Sequence, residues 1–202
     1  MSNILVVGSL AYDSIQTPAG KVDRALGGSA NYFSLAASLY SPVRVVGVVG
    51  EDYQQKDIEL LKSRNVDLSG MTMVKGKTFH WAGSYQGDMN EAVTLATELN
   101  VFETFNPVLP ENYRHSQFVF LANISPDLQL KVLEQVQSPM FVGMDTMNFW
   151  IQSKLQDLKN VLAKVDVVLI NEGEAMMLTG AQSAIEAAPL VCAMGPKALV
   201  IK

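Results

Sequence analysis

Cysteine, charged residues and long apolar runs are all scarce in this chain of 202 residues. The single cysteine, Cys192, excludes an intrachain disulfide framework and a cysteine-rich zinc site, and it is typical of a reducing compartment. The sequence has no run of 18 consecutive apolar residues, so no transmembrane helix is predicted. The chain begins with a strand pattern at Ile4–Val7, without the basic start and long apolar stretch of a signal peptide. We therefore predict a cytoplasmic protein without a membrane span.

The charge balance and several missing motifs exclude further classes of function. The formal net charge is −5, and nonspecific nucleic-acid binding needs a basic face, so we expect no nucleic-acid partner. A phosphorylated small ligand is still compatible, because local charge can oppose net charge. The chain has no GxGxxG or GxxxxGK[ST] motif, which argues against Rossmann and Walker nucleotide sites. No Ser/His/Asp or Cys/His spacing indicates a hydrolase.

Short apolar runs alternate with helical patterns along the chain. The runs Ile4–Val7, Val43–Val49 and Val165–Ile170 do not alternate with polar residues, which is typical of parallel strands covered on both faces. Apolar residues of Trp150–Val165 recur at helical spacing, and Ser125-Pro126-Asp127 is typical of a helix start. From about residue 105 onward this alternation predicts an α/β fold with a parallel sheet.

Two segments, residues 10–25 and about 66–105, have a different pattern. They are polar, show no sustained helical period, and have glycines between short strand patterns. We predict that they meet as one small β-layer beside the α/β core, where they would form a lid or a dimer surface. An ordinary edge extension of the sheet is the alternative.

The first candidate site consists of residues close to the first strand and the first helix. Asp13 follows the first strand, and a carboxylate at the carboxyl end of a parallel strand points into the crevice where such sheets bind ligands. It could accept hydrogen bonds from two sugar hydroxyls, or serve as a capping or turn residue. Gly27 and Gly28 precede a helical pattern, where backbone N–H groups could face a ligand or form a plain tight turn.

The second candidate site follows two later strands. Asp145 follows the strand Met140–Met144, while Asn171 and Glu174 follow Val165–Ile170. If the strands are parallel, these side chains converge on one edge of the sheet. That edge would suit magnesium and phosphate, because Mg²⁺ takes few carboxylates and many waters. Asn171 is also a candidate helix N-cap, with Glu174 closing a capping box, and the two roles are compatible.

The order of these motifs resembles that of the ribokinase-like (PfkB-type) carbohydrate kinases. The resemblance rests on Gly8-Ser9-Leu10-Ala11-Tyr12-Asp13, Gly27-Gly28-Ser29-Ala30-Asn31, the strand exit Val45–Asp52, and Asn171-Glu172-Gly173-Glu174 with Leu178-Thr179-Gly180. It covers essentially the whole chain. It implies one ribokinase-like α/β domain over residues 1–202, a three-layer sandwich with a mostly parallel central sheet and a small β-sheet lid formed by residues 10–25 and 66–105.

The resemblance also implies a function and a set of site residues. The chain would be an ATP- and Mg²⁺-dependent kinase that phosphorylates a hydroxyl of a sugar or nucleoside, and its lid edges would be a candidate homodimer surface. The residues that would bind the substrate are Asp13, Gly27, Gly28, Asn31 and Asn123. Asp145, Asn171 and Glu174 would be associated with phosphate and Mg²⁺, with Glu174 acting on the metal through water.

One element of the family does not occur in these residues. It is a later Gly-Ala-Gly-Asp motif, whose amides stabilise the transferring phosphoryl charge and whose Asp accepts the hydroxyl proton. We therefore expect the C-terminal part of the fold to be missing, the base to lie beyond Lys202, and this chain to be inactive by itself. A non-catalytic sugar- or nucleoside-binding module is the alternative function, and a structural domain without a ligand is a third.

Overall fold

The computed structural model describes residues 3–87, 89 and 92–202. In chain order the strands are β1 (Ile4–Val7), β2 (Ala11–Thr17), β3 (Gly20–Gly27), β4 (Val43–Gly50), β5 (Val66–Val74), β6 (Phe79–Tyr85), β7 (Ala92–Glu98), β8 (Phe118–Leu121), β9 (Phe141–Asp145), β10 (Val167–Ile170) and β11 (Ala198–Ile201). The helices are α1 (Ser29–Ala37), α2 (Gln55–Ser63), α3 (Pro126–Gln135), α4 (Asn148–Ser153), α5 (Leu155–Leu162), α6 (Glu172–Thr179) and α7 (Ala184–Cys192). Short 3-10 helices occupy Asn100–Thr104 and Glu111–Tyr113.

The fold is α/β, as the sequence predicts. Among the described residues, seven strands belong to a mostly parallel central sheet and four belong to a small mixed sheet. The chain divides into two compact units, one of which combines β1 with Pro107–Lys202, while the other is Gly8–Asn106. None of the helices in the described ranges combines the length and apolar character needed to cross a membrane.

The first unit contains five parallel strands in the order β11-β10-β9-β8-β1. Apolar side chains of the inner strands are buried, with Leu121 and Val168 inaccessible to solvent, as expected for strands covered on both faces, whereas Val200 of the edge strand β11 is 46% exposed. Because the strands are parallel, the residues that follow them lie at one edge of the sheet. Asn123, Asn171 and Lys202 follow three of the strands there, and Asp145 is the last residue of a fourth.

The helical pattern predicted over Trp150–Val165 is divided into two helices. Lys154 separates α4 from α5 with φ −136° and ψ 40°, outside the helical region. Its ammonium group pairs with the Asp127 carboxylate in the first turn of α3. The apolar stripe survives the break, since Leu158 and Leu162 of α5 are fully buried.

The second unit contains the small sheet, in the order β3-β2-β6-β7. Residues 10–25 and the part of the second predicted segment in β6 and β7 therefore do meet in one β-layer. Residues 66–74, which the sequence pattern placed with them, instead form β5, an edge strand of the central sheet that pairs with β4. An edge strand is half exposed, which accounts for its polar pattern. Residues 88, 90 and 91 of the predicted segment lie outside the described residues.

Tyr12 anchors β2 to helix α2 within this unit. Its hydroxyl donates to the Asp57 carboxylate at 2.7 Å and accepts from the Gln54 backbone N–H at 2.8 Å. Both Tyr12 and Asp57 are buried. The side chain of Tyr12 points to the face of β2 opposite that of its neighbour Asp13, because successive side chains of a strand alternate.

We predict that Tyr12→Phe lowers the free energy of unfolding by about 2 kcal/mol, because it leaves the buried Asp57 carboxylate and the Gln54 N–H without a partner. Urea unfolding followed by circular dichroism measures this change. Tyr40→Phe is the matched control, since Tyr40 is 90% exposed and should lose no stability. Equal stabilities of the two variants would show that the Tyr12 hydroxyl does not stabilise the unit.

Candidate functional site

Asp13 lies inside the small sheet, rather than in a loop after β1. The turn after β1 is short, so that β2 already begins at Ala11. Asp13 is paired with Ala25 of β3 on one side and with Trp81 of β6 on the other. Its carboxylate is therefore held on one face of the sheet, and the pairing of β2 with β3 shifts register directly after it, between Asp13 and Ile15.

The Asp13 carboxyl group packs directly over Gly27. A Cβ atom at position 27 would overlap the carboxyl carbon and both of its oxygens, so that only glycine leaves room for this contact. No described residue donates a hydrogen bond to the Asp13 carboxylate. Burial raises the pKa of Asp13 to about 6, an effect that the charge of His80 partly offsets. The result is a half-buried carboxylate with unused acceptor capacity.

Gly28 is the N-cap of α1 and has φ 87°, in the region that favours glycine. A Cβ there would also overlap the Ser9 carbonyl oxygen. The first N–H groups of α1 are already used, because Ser29 donates to the Ser9 hydroxyl at 3.2 Å and Ala30 donates to the Ser9 carbonyl at 3.1 Å. The N–H groups of Ser29 and Ala30 are therefore not free to bind a ligand, contrary to what the sequence pattern suggests for the start of this helix.

Asn31 is fully buried behind this turn, and both ends of its amide are used. Its Nδ2 donates to the Gly27 carbonyl at 2.6 Å, and its Oδ1 accepts from the Tyr53 hydroxyl at 3.0 Å. Both polar atoms of the Asn31 amide already have a protein partner, and direct contact of this side chain with a substrate stays a prediction. The side chain positions Gly27, which in turn supports the Asp13 carboxylate.

In the first unit, Asn171 and Glu174 form the predicted capping box at the start of α6. The Asn171 Oδ1 accepts from the Glu174 N–H at 2.8 Å, and the Glu174 carboxylate accepts from the Asn171 N–H at 2.8 Å. Gly180 ends the helix with φ 76°, as expected for a glycine C-cap. The box fixes the Glu174 carboxylate at the sheet edge, where burial raises its pKa.

Asp145 ends β9 beside Glu174. Its Oδ1 is buried and has no hydrogen-bond partner among the described residues. The pKa of Asp145 is raised to about 7, mainly by burial; the Lys202 ammonium opposes this increase and the Glu174 carboxylate adds to it. The structure therefore brings Asp145, Asn171 and Glu174 together and adds Lys202, whose cationic character the sequence pattern did not connect with the site.

This group fits a magnesium ion held mainly by water and phosphate oxygens. Mg²⁺ prefers oxygen ligands and usually keeps several waters, and the unpartnered Asp145 oxygen is such a ligand. The described part of the chain contains no cluster of three or more His, Cys, Asp or Glu side chains that could hold a metal alone. Phosphate oxygens would complete the coordination, with the Lys202 ammonium nearby.

Asn123 and two residues that the sequence analysis missed complete this edge. The Asn123 Oδ1 accepts from the Trp150 indole N–H at 2.9 Å, so this side chain is already engaged. The buried Gln129 donates through Nε2 to the carbonyls of Leu121, Ala122 and Asp145, while its Oε1 has no partner among the described residues. The buried Thr146 hydroxyl likewise has no partner there. Gln129 lies on α3 and faces the ends of strands, and no local sequence pattern indicates such a role.

Comparisons with known proteins agree with this fold and these clusters. The model of the pfkB family of carbohydrate kinases matches residues 1–202. A cytidine kinase from Thermococcus kodakarensis is 29% identical over 206 residues, an alignment that covers all of this chain and 73% of the relative.

Solved structures share the fold at low sequence identity. A candidate ribokinase II from E. coli, solved in complex with ATP and Mg²⁺, has a TM-score of 0.80 and 16% identity over 100% of this chain and 72% of its own. A nucleoside kinase from Methanocaldococcus jannaschii, an archaeal member of the ribokinase family, has a TM-score of 0.69 and 18% identity over 89% of this chain and 64% of its own.

We predict that Asp13→Asn stabilises the protein above pH 6 by about 1 kcal/mol, allowing for solvent screening of the half-buried carboxylate. The pKa of Asp13 is raised from 3.8 to about 6 in the fold, so ionisation disfavours folding as the pH rises through this window. The two proteins should be equally stable below about pH 4, where the carboxyl is protonated in both the folded and unfolded states. Urea unfolding from pH 3.5 to 8 measures the difference. A constant difference over that range would contradict the raised pKa.

Proposed function

The chain belongs to the pfkB family of carbohydrate kinases, and we propose that it acts in the cytoplasm on a hydroxyl group of a sugar or nucleoside, with ATP and Mg²⁺ as phosphoryl donor and cofactor. The γ-phosphoryl group would move from the bridging oxygen of ATP to the acceptor oxygen, leaving ADP and releasing the hydroxyl proton. The observation that carries this proposal is the open Asp13 carboxylate packed on Gly27.

Asp13 is proposed to bind the acceptor. A carboxylate with unused lone pairs accepts hydrogen bonds from two neighbouring hydroxyls, and its charge makes these bonds stronger than neutral ones. Gly27 and Gly28 bring the backbone close to the ligand, while Asn31 holds Gly27 from behind. The relatives named as a cytidine kinase and a nucleoside kinase support a sugar or nucleoside acceptor.

Asp145, Asn171 and Glu174 are proposed to organise the donor. Mg²⁺ would neutralise phosphate oxygens and make the terminal phosphorus easier to attack. In the chain itself, the Asp145 oxygen and the Glu174 carboxylate would hold the hydrated ion, and Asn171 would fix Glu174 through the capping box. The ATP and Mg²⁺ complex of the E. coli structure supports this donor. None of these residues is proposed as the proton acceptor.

The small sheet is proposed to be the lid of one ribokinase-like domain over residues 1–202. Its β2, β3, β6 and β7 strands correspond to most of the predicted lid segments, and its Asp13 face carries the acceptor site. The outer strands β3 and β7 are largely exposed, which supports a homodimer formed through this sheet.

The proposed roles are tested by a pair of isosteric variants. Asp13→Asn should weaken binding of cytidine or ribose at least tenfold, because it removes the charge that strengthens two hydrogen bonds, and should leave Mg·ATP binding within about twofold. Asp145→Asn should weaken Mg·ATP binding at least tenfold and leave binding of cytidine or ribose within about twofold. Asp23→Asn is the matched control, since the exposed Asp23 carboxylate pairs with Lys21 and lies outside both proposed sites. Isothermal titration calorimetry measures all affinities.

Several outcomes would contradict these roles. If Asp13→Asn and Asp23→Asn bind acceptors equally, Asp13 is not in the acceptor site. A coupled assay of ADP release with sugars and nucleosides tests transfer itself, and acceptor-dependent release by residues 1–202 would contradict the expectation that this chain is inactive alone. Binding of both ligands without ADP release by any natural form would favour the alternative function, a non-catalytic binding module.

A further inference from the structure

The small sheet carries a second group of polar side chains on the face opposite that of Asp13. His80 and Glu98 are register partners on the antiparallel strands β6 and β7, so their side chains share one face. Ser14 lies two residues after Tyr12, the register partner of His80 on β2, and therefore lies on that face as well. Three neighbouring strands thus bring together a hydroxyl, an imidazole and a carboxylate, a combination that no spacing in the sequence indicates.

The imidazole lies between the hydroxyl and the carboxylate. The Ser14 Oγ and the His80 Nε2 are 2.9 Å apart, a normal hydrogen-bond distance. The His80 Nδ1 lies 3.8 Å from a carboxylate oxygen of Glu98, which is the separation of an ion pair rather than of a hydrogen bond. A carboxylate facing Nδ1 favours the tautomer with the ring proton on that atom, which leaves Nε2 to accept from the hydroxyl. In this arrangement a histidine activates a serine for nucleophilic attack.

A β-bulge orients the Ser14 hydroxyl. The pairing of β2 with β3 shifts register between Asp13 and Ile15, so that Ser14 has no register partner on β3. At this shift Arg24 has φ 54°, which is uncommon for a residue with a side chain, and its backbone N–H donates to the Ser14 Oγ at 3.2 Å. Because the oxygen accepts this bond, its own proton is available to His80. Bulges often aim a side chain in this way beside an active site.

The hydroxyl and the imidazole line a cavity of about 310 Å³, a volume that suits a small ligand. Ser14 and His80 are half-buried in its wall, together with the more exposed Arg24 and Lys77. The Arg24 guanidinium pairs with Asp52 at 2.8 Å, whereas the Lys77 ammonium has no ion-pair partner among the described residues. Cations in the wall of a cavity stabilise negative charge that develops on a carbonyl oxygen.

We propose that Ser14, His80 and Glu98 form a second active site, which hydrolyses small carboxylic esters. The Ser14 Oγ forms a bond to the carbonyl carbon of the ester while its proton passes to the His80 Nε2. The bond between this carbon and the alcohol oxygen then breaks, and the alcohol leaves with the proton from His80. Water cleaves the resulting acyl-serine by the same route, which releases the carboxylic acid and restores the hydroxyl.

Glu98 is a positioning residue in this reaction, because it touches the imidazole and not the ester. It orients the ring and stabilises its protonated form. The proposal goes beyond the kinase function and does not rest on it, since the Asp13 carboxylate lies on the other face of the sheet.

Labelling with an alkyl fluorophosphonate tests the nucleophile on the wild-type chain. The reagent forms a bond between its phosphorus and an activated serine oxygen, and fluoride leaves with the hydroxyl proton. Peptide mass spectrometry should locate the label at Ser14. His80→Gln should slow labelling about a hundredfold or more, because it removes the general base. His115→Gln is the matched control, since it changes the second, exposed histidine of the chain and should label at the wild-type rate.

Hydrolysis of p-nitrophenyl acetate tests turnover and the role of Glu98. Ser14→Ala should lower the rate to that of buffer alone, whereas Ser63→Ala, which removes an exposed hydroxyl of α2, should keep the wild-type rate. Glu98→Gln should lower kcat about fivefold and leave KM within about twofold, because an exposed ion pair contributes modestly and the residue does not touch the ester.

Two results would overturn the proposal. In the first, the folded wild-type chain carries no label at Ser14, or carries it equally on exposed serines, so that the hydroxyl is not activated. In the second, Ser14→Ala and Ser63→Ala hydrolyse the ester equally, and the bond between Ser14 and His80 only joins two strands. Because the labelling is measured on the unaltered chain, it decides the question even if a variant fails to fold.

Discussion

The contact between the Asp13 carboxyl group and the bare Cα of Gly27 is the constraint on which the proposed acceptor site depends. It requires that residue 27 has no side chain, that Gly28 adopts a positive φ so that the chain enters α1 without a clash at Ser9, and that Asn31 holds the Gly27 carbonyl. All three interactions lie within the second unit and join residues 27–31 to one another, to Ser9 and to Asp13. The Asp13 carboxylate is thereby left on a sheet face with lone pairs that accept no hydrogen bond from the described residues. This is unfavourable for folding and suitable for binding hydroxyl groups.

The same physical trade-off appears at the sheet edge of the first unit. Burial raises the pKa of Asp145 to about 7 and that of Glu174 in the same direction, so both carboxylates are held where ionisation is disfavoured. The Glu174 carboxylate is partly compensated by the capping box, whereas the Asp145 Oδ1 has no partner among the residues that the structure describes. A cation bound beside Asp145 would remove this penalty, so the affinity for the ion and the stability of the fold are linked at this residue.

Features set by local sequence were predictable, whereas those set by tertiary neighbours were not. The capping box of Asn171 and Glu174 and the glycine end of α6 follow from short-range chemistry, and the parallel sheet follows from the alternation of strands and helices; all are found. At the break in the helical pattern, Lys154 pairs with Asp127, which lies 27 residues away. The β5 sequence resembles the small sheet because an edge strand is polar on its exposed side. Likewise, the hydrogen bond of the Asn31 Oδ1 atom depends on Tyr53, which is distant in sequence. The pairing of Trp81 with Asp13 depends on strand register.

The central claim is that Asp13 binds the hydroxyl groups of the phosphoryl acceptor, and the pKa of its own side chain tests this claim most directly. Aspartate labelled with ¹³C at Cγ gives an NMR signal for Asp13 that is assigned by its loss in Asp13→Asn. The account predicts a pKa near 6 in the free chain. With saturating cytidine the pKa should fall below about 5, because hydroxyl donors stabilise the carboxylate. A pKa that stays near 6 while cytidine is shown to be bound would contradict the account.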